Sequence, residues 1–379
     1  MSDFRVAIDY GTSTTVAFLH WPDGKIRPLL FGDSPLLPSA VYVEDDDRPL
    51  TGRDAVRSAR FDPGRFEANP KRRIDDGEVL LGDRVLPIGD LIAATLRRVW
   101  QEATRIAGEV PGQVTLTHPA TWGERRRGAL LHAADLAGLP APVLVAEPIA
   151  AATYFTVVLG RQVRPGACVV VYDLGAGTFD VSVVRRDAAG FTALGTAGLG
   201  DLGGLDLDAL VVGLLRDARG PADEAAWEAL RAPAGLAGRR AFRELWDAAR
   251  EAKEALSLRA TTPVQVPGVA DPQHLTRGEF EAAAVPMLTQ TVAVTMEAIR
   301  AAGVGPADVA GVFLVGGATR VPLVASLLHR ATGMAPTVME QPELVVAEGA
   351  LHIGGAAPPR RPHRPHQRRR PARRRSRPP

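Results

Sequence analysis

The chain alternates short apolar runs with polar, glycine-containing turns, a pattern typical of β-strands that end at functional loops. Apolar residues at 6–8 and 16–19 flank a polar turn and predict a β-hairpin. A second pair of apolar runs, at 168–172 and 179–184, flanks a similar turn and predicts a second hairpin. Further strands are predicted at 114–117, 143–145 and 312–315.

Helical periodicity occupies the segments between these strands. Apolar residues recur at three- and four-residue spacing over 88–106, and Gly108 is a plausible C-terminal stop. The alternation of strands and helices predicts an α/β fold. Further helices are predicted at 124–137 with a stop at Gly138, from Ala150, across the charged segment 205–259, and from Val321.

The turns of the two predicted hairpins share the pattern Asp-x-Gly-x-x-Thr. The first contains Asp9, Gly11 and Thr14, and the second repeats the pattern from Asp173. A motif repeated about half the chain apart suggests two lobes of similar topology that face each other across a cleft. We predict a first lobe at 1–160 with an inserted subdomain at about 35–105, a second lobe at 161–356 with a helical subdomain at about 205–285, and a disordered tail at 357–379.

Composition adds a charge asymmetry to this picture. Of the 379 residues 46% are apolar, which is enough for a core, and the net charge is +2. Ten arginines and no acidic residue lie from Arg360 to the end, so the remainder has 35 basic and 43 acidic residues, a net charge of −8. The single cysteine, Cys168, lies in an apolar run and is expected to pack in the core. No signal peptide is evident at the start, and a cytosolic protein is expected.

The repeated turns carry the groups that a bound triphosphate requires. Gly11 and Gly175 permit positive φ, and we expect the turns to direct backbone N–H groups toward phosphates, with hydroxyls from Thr12, Ser13 and Thr178. Asp9 and Asp173, at the strand ends, are expected to face each other and to hold Mg²⁺ through water. Two ordinary hairpins are the alternative, and the matching pair of turns favours phosphate binding.

Five segments resemble the nucleotide-binding domain of the 70-kDa heat-shock chaperone family, in that family's order and spacing. They are VAIDYGTSTTVAF from Val6, VAEPIAAATYF from Val145, DLGAGTFDVSVV from Asp173, TAGLGDLGGLDLD from Thr196 and FLVGGATRVP from Phe313. The resemblance covers residues 4–355. It implies the two-lobed actin-like ATPase fold, a duplicated mixed sheet flanked by helices with ATP or ADP and Mg²⁺ in the interlobe cleft.

The resemblance also assigns roles to single residues. It implies a catalytic set in which Lys71 reaches the γ-phosphate, Glu147 lies beside the attacking water, Asp173 organises Mg²⁺ together with Asp9, and Thr178 lies near the γ-phosphate. The implied nucleotide-binding positions are Asp9, Gly11, Thr12, Ser13, Gly175, Ala176, Gly177, Asp180, Gly203, Gly204, Lys253, Ser257, Gly316, Gly317, Arg320 and Glu343.

The nucleoside end departs from the family pattern. Arg250 stands where an acid is expected to hold the ribose, Glu254 stands where an arginine is expected to stack on adenine, and Glu343 replaces an aspartate. Arg320 could still cover one face of the base. Because a stacked cation contributes about 1 kcal/mol, we expect weaker nucleoside contacts than in the family.

A slow, Mg²⁺-dependent ATPase that signals by lobe closure is the expected function. A nucleotide switch without hydrolysis and a small-molecule kinase are the alternatives, although the Gly-Thr-Phe-Asp sequence after Ala176 is not a sugar-kinase turn. The family's β-rich substrate domain is not evident after Gly355, so binding of hydrophobic peptide clients is not expected. An exchange factor or co-chaperone is a possible partner, and so is a polyanion bound by the Arg/Pro-rich tail.

Overall fold

A computed structural model describes residues 3–44 and 48–353 of the chain. The predicted tail at 357–379 lies outside the described residues, as do the last residues of the predicted second lobe. The first elements are β1 (Arg5–Tyr10), β2 (Thr14–His20), β3 (Ile26–Pro28), β4 (Leu37–Pro38), β5 (Val41–Val43), β6 (Pro49–Thr51), α1 (Gly52–Ser58), β7 (Phe66–Glu67), β8 (Glu78–Leu81), β9 (Arg84–Pro87), α2 (Ile88–Ala107), β10 (Gln113–His118), α3 (Glu124–Leu136), β11 (Val143–Ala146) and α4 (Glu147–Val157).

The later elements form a second group of strands and helices. Short 3₁₀ turns occur at Pro63–Arg65, Pro70–Arg73 and Gly317–Arg320, among others. The later strands and helices are β12 (Cys168–Leu174), β13 (Phe179–Arg186), β14 (Phe191–Leu199), α5 (Gly204–Asp217), α6 (Glu224–Arg231), α7 (Gly235–Leu258), β15 (Thr261–Val264), β16 (Gln273–Thr276), α8 (Arg277–Ala301), β17 (Val309–Val315), α9 (Pro322–Thr332) and α10 (Val345–Leu351).

All the strands and helices predicted from the sequence are present. Helix α2 ends as expected at Gly108, which has a left-handed φ of 76° that favours glycine. The segment predicted as helical over 205–259 is divided into α5, α6 and α7. Helix α4 begins at Glu147, three residues before the predicted start at Ala150, because Pro148 is well tolerated in the first turn of a helix.

Two sheets share one topology. The first has the strand order β11-β10-β1-β2-β3, with β4 also paired to β2, and the second has the order β14-β13-β12-β17. In each sheet an antiparallel hairpin, β1–β2 or β12–β13, is joined by a later strand that runs parallel to its first strand. The structure therefore contains the duplication that the repeated motif predicted. We call the bodies built on the two sheets the first and the second lobe.

Each sheet packs against a helix from the other half of the chain. Helix α4, which follows the first sheet, buries Tyr154 and Phe155 against Phe313 of the second sheet. Helix α10, near the end of the described chain, packs on β1 and β2 of the first sheet. The two helices cross so closely that a Cβ atom at Gly349 would lie 2.1 Å from the carbonyl oxygen of Ala150. The backbones of the two lobes are therefore in direct contact at this crossing. The domain boundaries given in the sequence analysis remain predictions.

Helix α8 was not singled out by the sequence analysis, although it is long and apolar enough to cross a membrane by length and composition. In the structure it packs against β13, β14 and α9 and buries Phe280, Leu288 and Thr291. The Thr291 hydroxyl lies 2.6 Å from the Tyr172 hydroxyl of the second sheet. These contacts are those of a helix that packs one face against a folded domain, and 33% of its most apolar window is buried.

Candidate functional site

The two repeated turns have the same backbone geometry. The N–H of Gly11 donates to the carbonyl of Thr14 at 3.1 Å, and the N–H of Gly175 donates to the carbonyl of Thr178 at 3.1 Å. Both glycines permit a positive φ, but neither adopts one. At Gly11 the reason for glycine is crowding, because a Cβ atom there would lie 2.3 Å from the Thr14 carbonyl oxygen.

The other glycine-containing segments predicted to bind nucleotide approach the second turn, 173–178. A Cβ atom at Gly177 would lie 3.0 Å from Thr12 of the first turn, so the two turns touch across the lobes. A Cβ atom at Gly203 would lie 2.6 Å from the Ala176 carbonyl oxygen. At Gly316, which has a φ of 84°, a Cβ atom would lie 2.5 Å from Asp173 Oδ1. Small residues are required here because backbone segments approach each other directly.

Ser39 supports the first turn and was missed by the sequence analysis. Its hydroxyl donates to the Gly11 carbonyl at 2.8 Å and contacts the Thr15 hydroxyl at 2.8 Å, and its N–H donates to the Ser13 carbonyl at 2.9 Å. The Ser13 hydroxyl in turn lies 3.2 Å from the side-chain amide of Asn69. No sequence motif marks Ser39, because its role depends on the short pairing of β4 with β2.

A buried ion pair lies beside the turns. Lys71 Nζ, in the Pro70–Arg73 turn, donates to Glu147 Oε1 at 3.1 Å, and the two side chains are only 10% and 12% exposed. Asp9 accepts a hydrogen bond from the Thr117 hydroxyl at 2.7 Å. Lys71 and Glu147 are 76 residues apart in sequence, and the fold brings together the two groups that the resemblance placed at the γ-phosphate.

Asp180 of β13 is held by hydroxyls from both lobes. Thr178 of the second turn donates to Asp180 Oδ2 at 3.1 Å, and Thr121 of the β10–α3 segment donates to Oδ1 at 3.1 Å. Neither the Thr121 contact nor the Thr117 contact to Asp9 was predicted. Both threonines lie at or just after the end of β10, which pairs with β1 in the first sheet, and this pairing brings them to the site.

The electrostatics of the site are dominated by loss of solvent around several carboxylates. Desolvation is the main reason why the pKa of Glu147 is raised to about 7, and the charge of Lys71 opposes this shift. Desolvation also raises the pKa of Asp9 and, more strongly, that of Asp173, where the neighbouring Glu147 carboxylate adds to the effect. Burial alone would lower the pKa of Lys71, but the surrounding carboxylates outweigh it and raise that pKa, so the lysine stays charged.

These charges suit a hydrated cation. Asp9, Glu147, Asp173 and Asp180 interact electrostatically with a single lysine, and burial raises the pKa of each carboxyl, so an added cation would favour their ionised forms. Within the described ranges no three acidic, histidine or cysteine side chains are close enough to hold a metal ion directly. Mg²⁺ commonly keeps several of its waters in proteins, so spaced carboxylates that bind through water fit it.

The residues predicted at the nucleoside end form their own ion pairs. Lys253 Nζ lies 2.6 Å from the buried carboxylate of Asp208 and donates to the Gly204 carbonyl at 2.9 Å. Arg250 approaches the same carboxylate at 3.7 Å. These contacts fix α7 against the start of α5. Asp208 was not predicted, and it gives Arg250 a partner in this chain.

A second ion pair at the nucleoside end joins Arg320 to Glu343. Arg320 Nη2 donates to Glu343 Oε2 at 2.9 Å, and a Cβ atom at Gly317 would lie 3.0 Å from Glu343 Oε1. Ser257 donates to the Lys253 carbonyl of its own helix at 3.3 Å. Glu254 is exposed on the surface of α7. The structure therefore places Arg320 and Glu343 beside the Gly316–Gly317 turn, and their contact with a nucleoside stays a prediction.

The chain is similar to known proteins over most of its length. A family model described as Hsp70 protein matches residues 78–363. The chain is similar to the chaperone protein DnaK of two strains of Halobacterium salinarum, with 32% identity over 365 residues in each case. Each comparison covers 93% of this chain and 56% of the relative, so the chain spans about half the length of the curated relatives it matches.

Proposed function

The chain belongs to the Hsp70 protein family, and on that premise we propose that it binds Mg²⁺-ATP between its lobes, hydrolyses it slowly and signals by lobe closure. The observation that supports this most is the meeting of two Asp-x-Gly-x-x-Thr turns beside a buried Lys71–Glu147 pair. The proposal concerns the described lobes, and the activities of the longer relatives come to this chain only as proposals.

The residues of the site have distinct tasks in this reaction. N–H groups and hydroxyls of the two turns bind the phosphates, with Thr12 and Ser13 on one side and Thr178 on the other. Glu147 orients the attacking water and accepts its proton, and the Lys71 ammonium neutralises charge that develops on the γ-phosphate. Asp9 and Asp173 would hold Mg²⁺ through water, and the ion would supply positive charge against the phosphates.

A turnover assay with Mg²⁺-ATP on the purified chain tests the proposal. Release of inorganic phosphate that stops when Mg²⁺ is removed is the expected result. Saturable ATP binding without phosphate release would favour a nucleotide switch read by a partner. Phosphate transfer to a sugar or another small hydroxyl compound would favour a kinase. Cytoplasmic location and an exchange factor or co-chaperone as partner are further proposals drawn from the family.

Lobe closure requires contacts that form only when the lobes are near each other. Such contacts lie between α7 of the second lobe and the 61–66 segment of the first. Arg240 donates to the Phe61 carbonyl at 3.1 Å through Nε, and the Arg243 guanidinium lies 4.1 Å from the centre of the Phe66 ring. We propose that these arginines hold the cleft closed over the nucleotide.

Replacing Arg240 and Arg243 together by alanine should therefore speed release of bound ADP about fivefold to tenfold, because the two solvent-accessible contacts together contribute on the order of 1 kcal/mol. Release is measured by stopped-flow chase of a fluorescent ADP analogue. Arg231→Ala, at an exposed arginine of α6 that pairs with Glu228, is the control and should leave the rate unchanged. An unchanged release rate in the double variant would show that these contacts do not control closure.

A further inference from the structure

The ammonium of Lys71 lies over an aromatic ring. Its Nζ atom is 5.2 Å from the centre of the Trp122 ring, and Trp122 is 8% exposed. A cation within about 6 Å of an indole face is attracted by the ring quadrupole, and Trp is the strongest of the aromatic side chains in this respect. Resting on the function proposed above, we propose that Trp122 is a positioning residue that holds the Lys71 ammonium in place for hydrolysis.

The ring is itself fixed by the first lobe. Trp122 belongs to the core cluster under the first sheet, together with Ile92, Leu96 and Leu130. The backbone N–H of Trp122 donates to the Pro119 carbonyl at 3.1 Å, which closes the turn after β10 and fixes the start of the side chain. Lys71, in contrast, lies on a short 3₁₀ turn with a flexible four-carbon side chain. Because the Trp122 ring is fixed by the core, its contact with the Lys71 ammonium restricts the positions that the ammonium can occupy.

The ring complements the ion pair with Glu147. Glu147 has a pKa of about 7, so its charge changes near neutral pH. If Glu147 accepts the proton of the attacking water, its attraction for Lys71 falls as the reaction proceeds. The indole face carries no titratable group, so it retains the lysine whether Glu147 is charged or neutral. Trp122 thus supplies a hold on Lys71 that does not depend on the protonation state of the base.

A substitution series separates this role from core packing. Trp122→Phe and Trp122→Tyr keep an aromatic face and should retain most of the turnover number, whereas Trp122→Leu should lower it about threefold to tenfold with ATP affinity unchanged. Trp100→Leu is the matched control, since Trp100 lies in the same core with a similar exposure of 9% but makes no cation–π contact with Lys71. Melting temperatures are measured for all variants. Equal losses of turnover in the two leucine variants would overturn the proposal.

A fluorescence measurement tests the contact between Lys71 and Trp122 independently of ATP turnover. Lys71→Met removes the cation and should change the tryptophan emission spectrum of the intact chain, and Lys71→Arg should change it less. The same Lys71→Met substitution should have no effect in a Trp122→Phe background, where the other four tryptophans remain. An emission change that persists without Trp122 would refute the contact. Absence of ATP turnover in the wild-type chain would instead refute the proposed function and leave this readout intact.

Discussion

Lys71→Ala is expected to lower the ATP turnover number at least tenfold, about 1.4 kcal/mol of barrier, while leaving ATP binding largely intact. The reason is the position of the ammonium, 3.1 Å from Glu147 and enclosed with it. Its charge opposes the negative charge that develops during phosphoryl transfer, whereas most of the binding contacts come from the two turns. Phosphate release and calorimetric affinity, measured on the same preparation, separate the two effects.

Lys71→Ala also removes the cation that lowers the pKa values of Glu147, Asp9 and Asp173. The pKa of Glu147 should therefore rise further, and less of the base should be ionised at neutral pH. Lys25→Ala is the control, because Lys25 is an exposed lysine paired with Asp23. Identical turnover for Lys71→Ala and wild type would show that Lys71 has no part in catalysis.

Glu147→Gln should have a larger effect, a loss of about a hundredfold in turnover, because a positioned general base contributes 10²–10⁴-fold. The base acts only when ionised. Since desolvation raises the pKa of Glu147 to about 7, kcat/KM should increase as the pH rises through about 7 and should fall on the acidic side. The glutamine variant should keep its residual activity nearly independent of pH over this range.

Glu348→Gln is a matched control for this experiment. Glu348 lies on α10 and is half-buried, and desolvation raises its pKa as well, but it does not contact the turns. Its replacement should change neither the turnover number nor the pH profile. A Glu147→Gln variant that keeps the wild-type pH profile would mean that another group is the base, and Asp180, held by Thr121 and Thr178, would be the next candidate.

The parts of the fold that were predictable have local causes. The period of apolar residues and the stop at Gly108 define α2, and the repeated turn motif predicted the duplicated hairpins. The conformation of Gly11 was less predictable. An Asp-x-Gly turn is compatible with positive φ, but the structure shows that glycine is needed because the Thr14 carbonyl oxygen occupies the space of a side chain.

The groups missed by the sequence analysis act through tertiary contacts. Ser39 reaches the first turn through a two-residue strand, Thr121 reaches Asp180 across the lobes, and Asp208 binds Lys253 between two helices. Ser39 and Thr121 lie in none of the quoted segments, and Asp208 is the last residue of the segment from Thr196 but was assigned no role there. Only the pairing of β4 with β2, the pairing of β10 with β1 and the packing of α5 on α7 bring them to the site.

Isothermal titration of the chain with ATP, in the presence and absence of Mg²⁺, tests the central claim most directly. The site has four carboxylates around one lysine, so phosphates should bind well only when Mg²⁺ accompanies them. We predict a saturable heat with Mg²⁺ that is much weaker without it, and weaker also in Asp9→Asn and Asp173→Asn variants. No heat with Mg²⁺-ATP at high micromolar concentrations, or equal heats in wild type and both variants, would contradict nucleotide binding between the two turns.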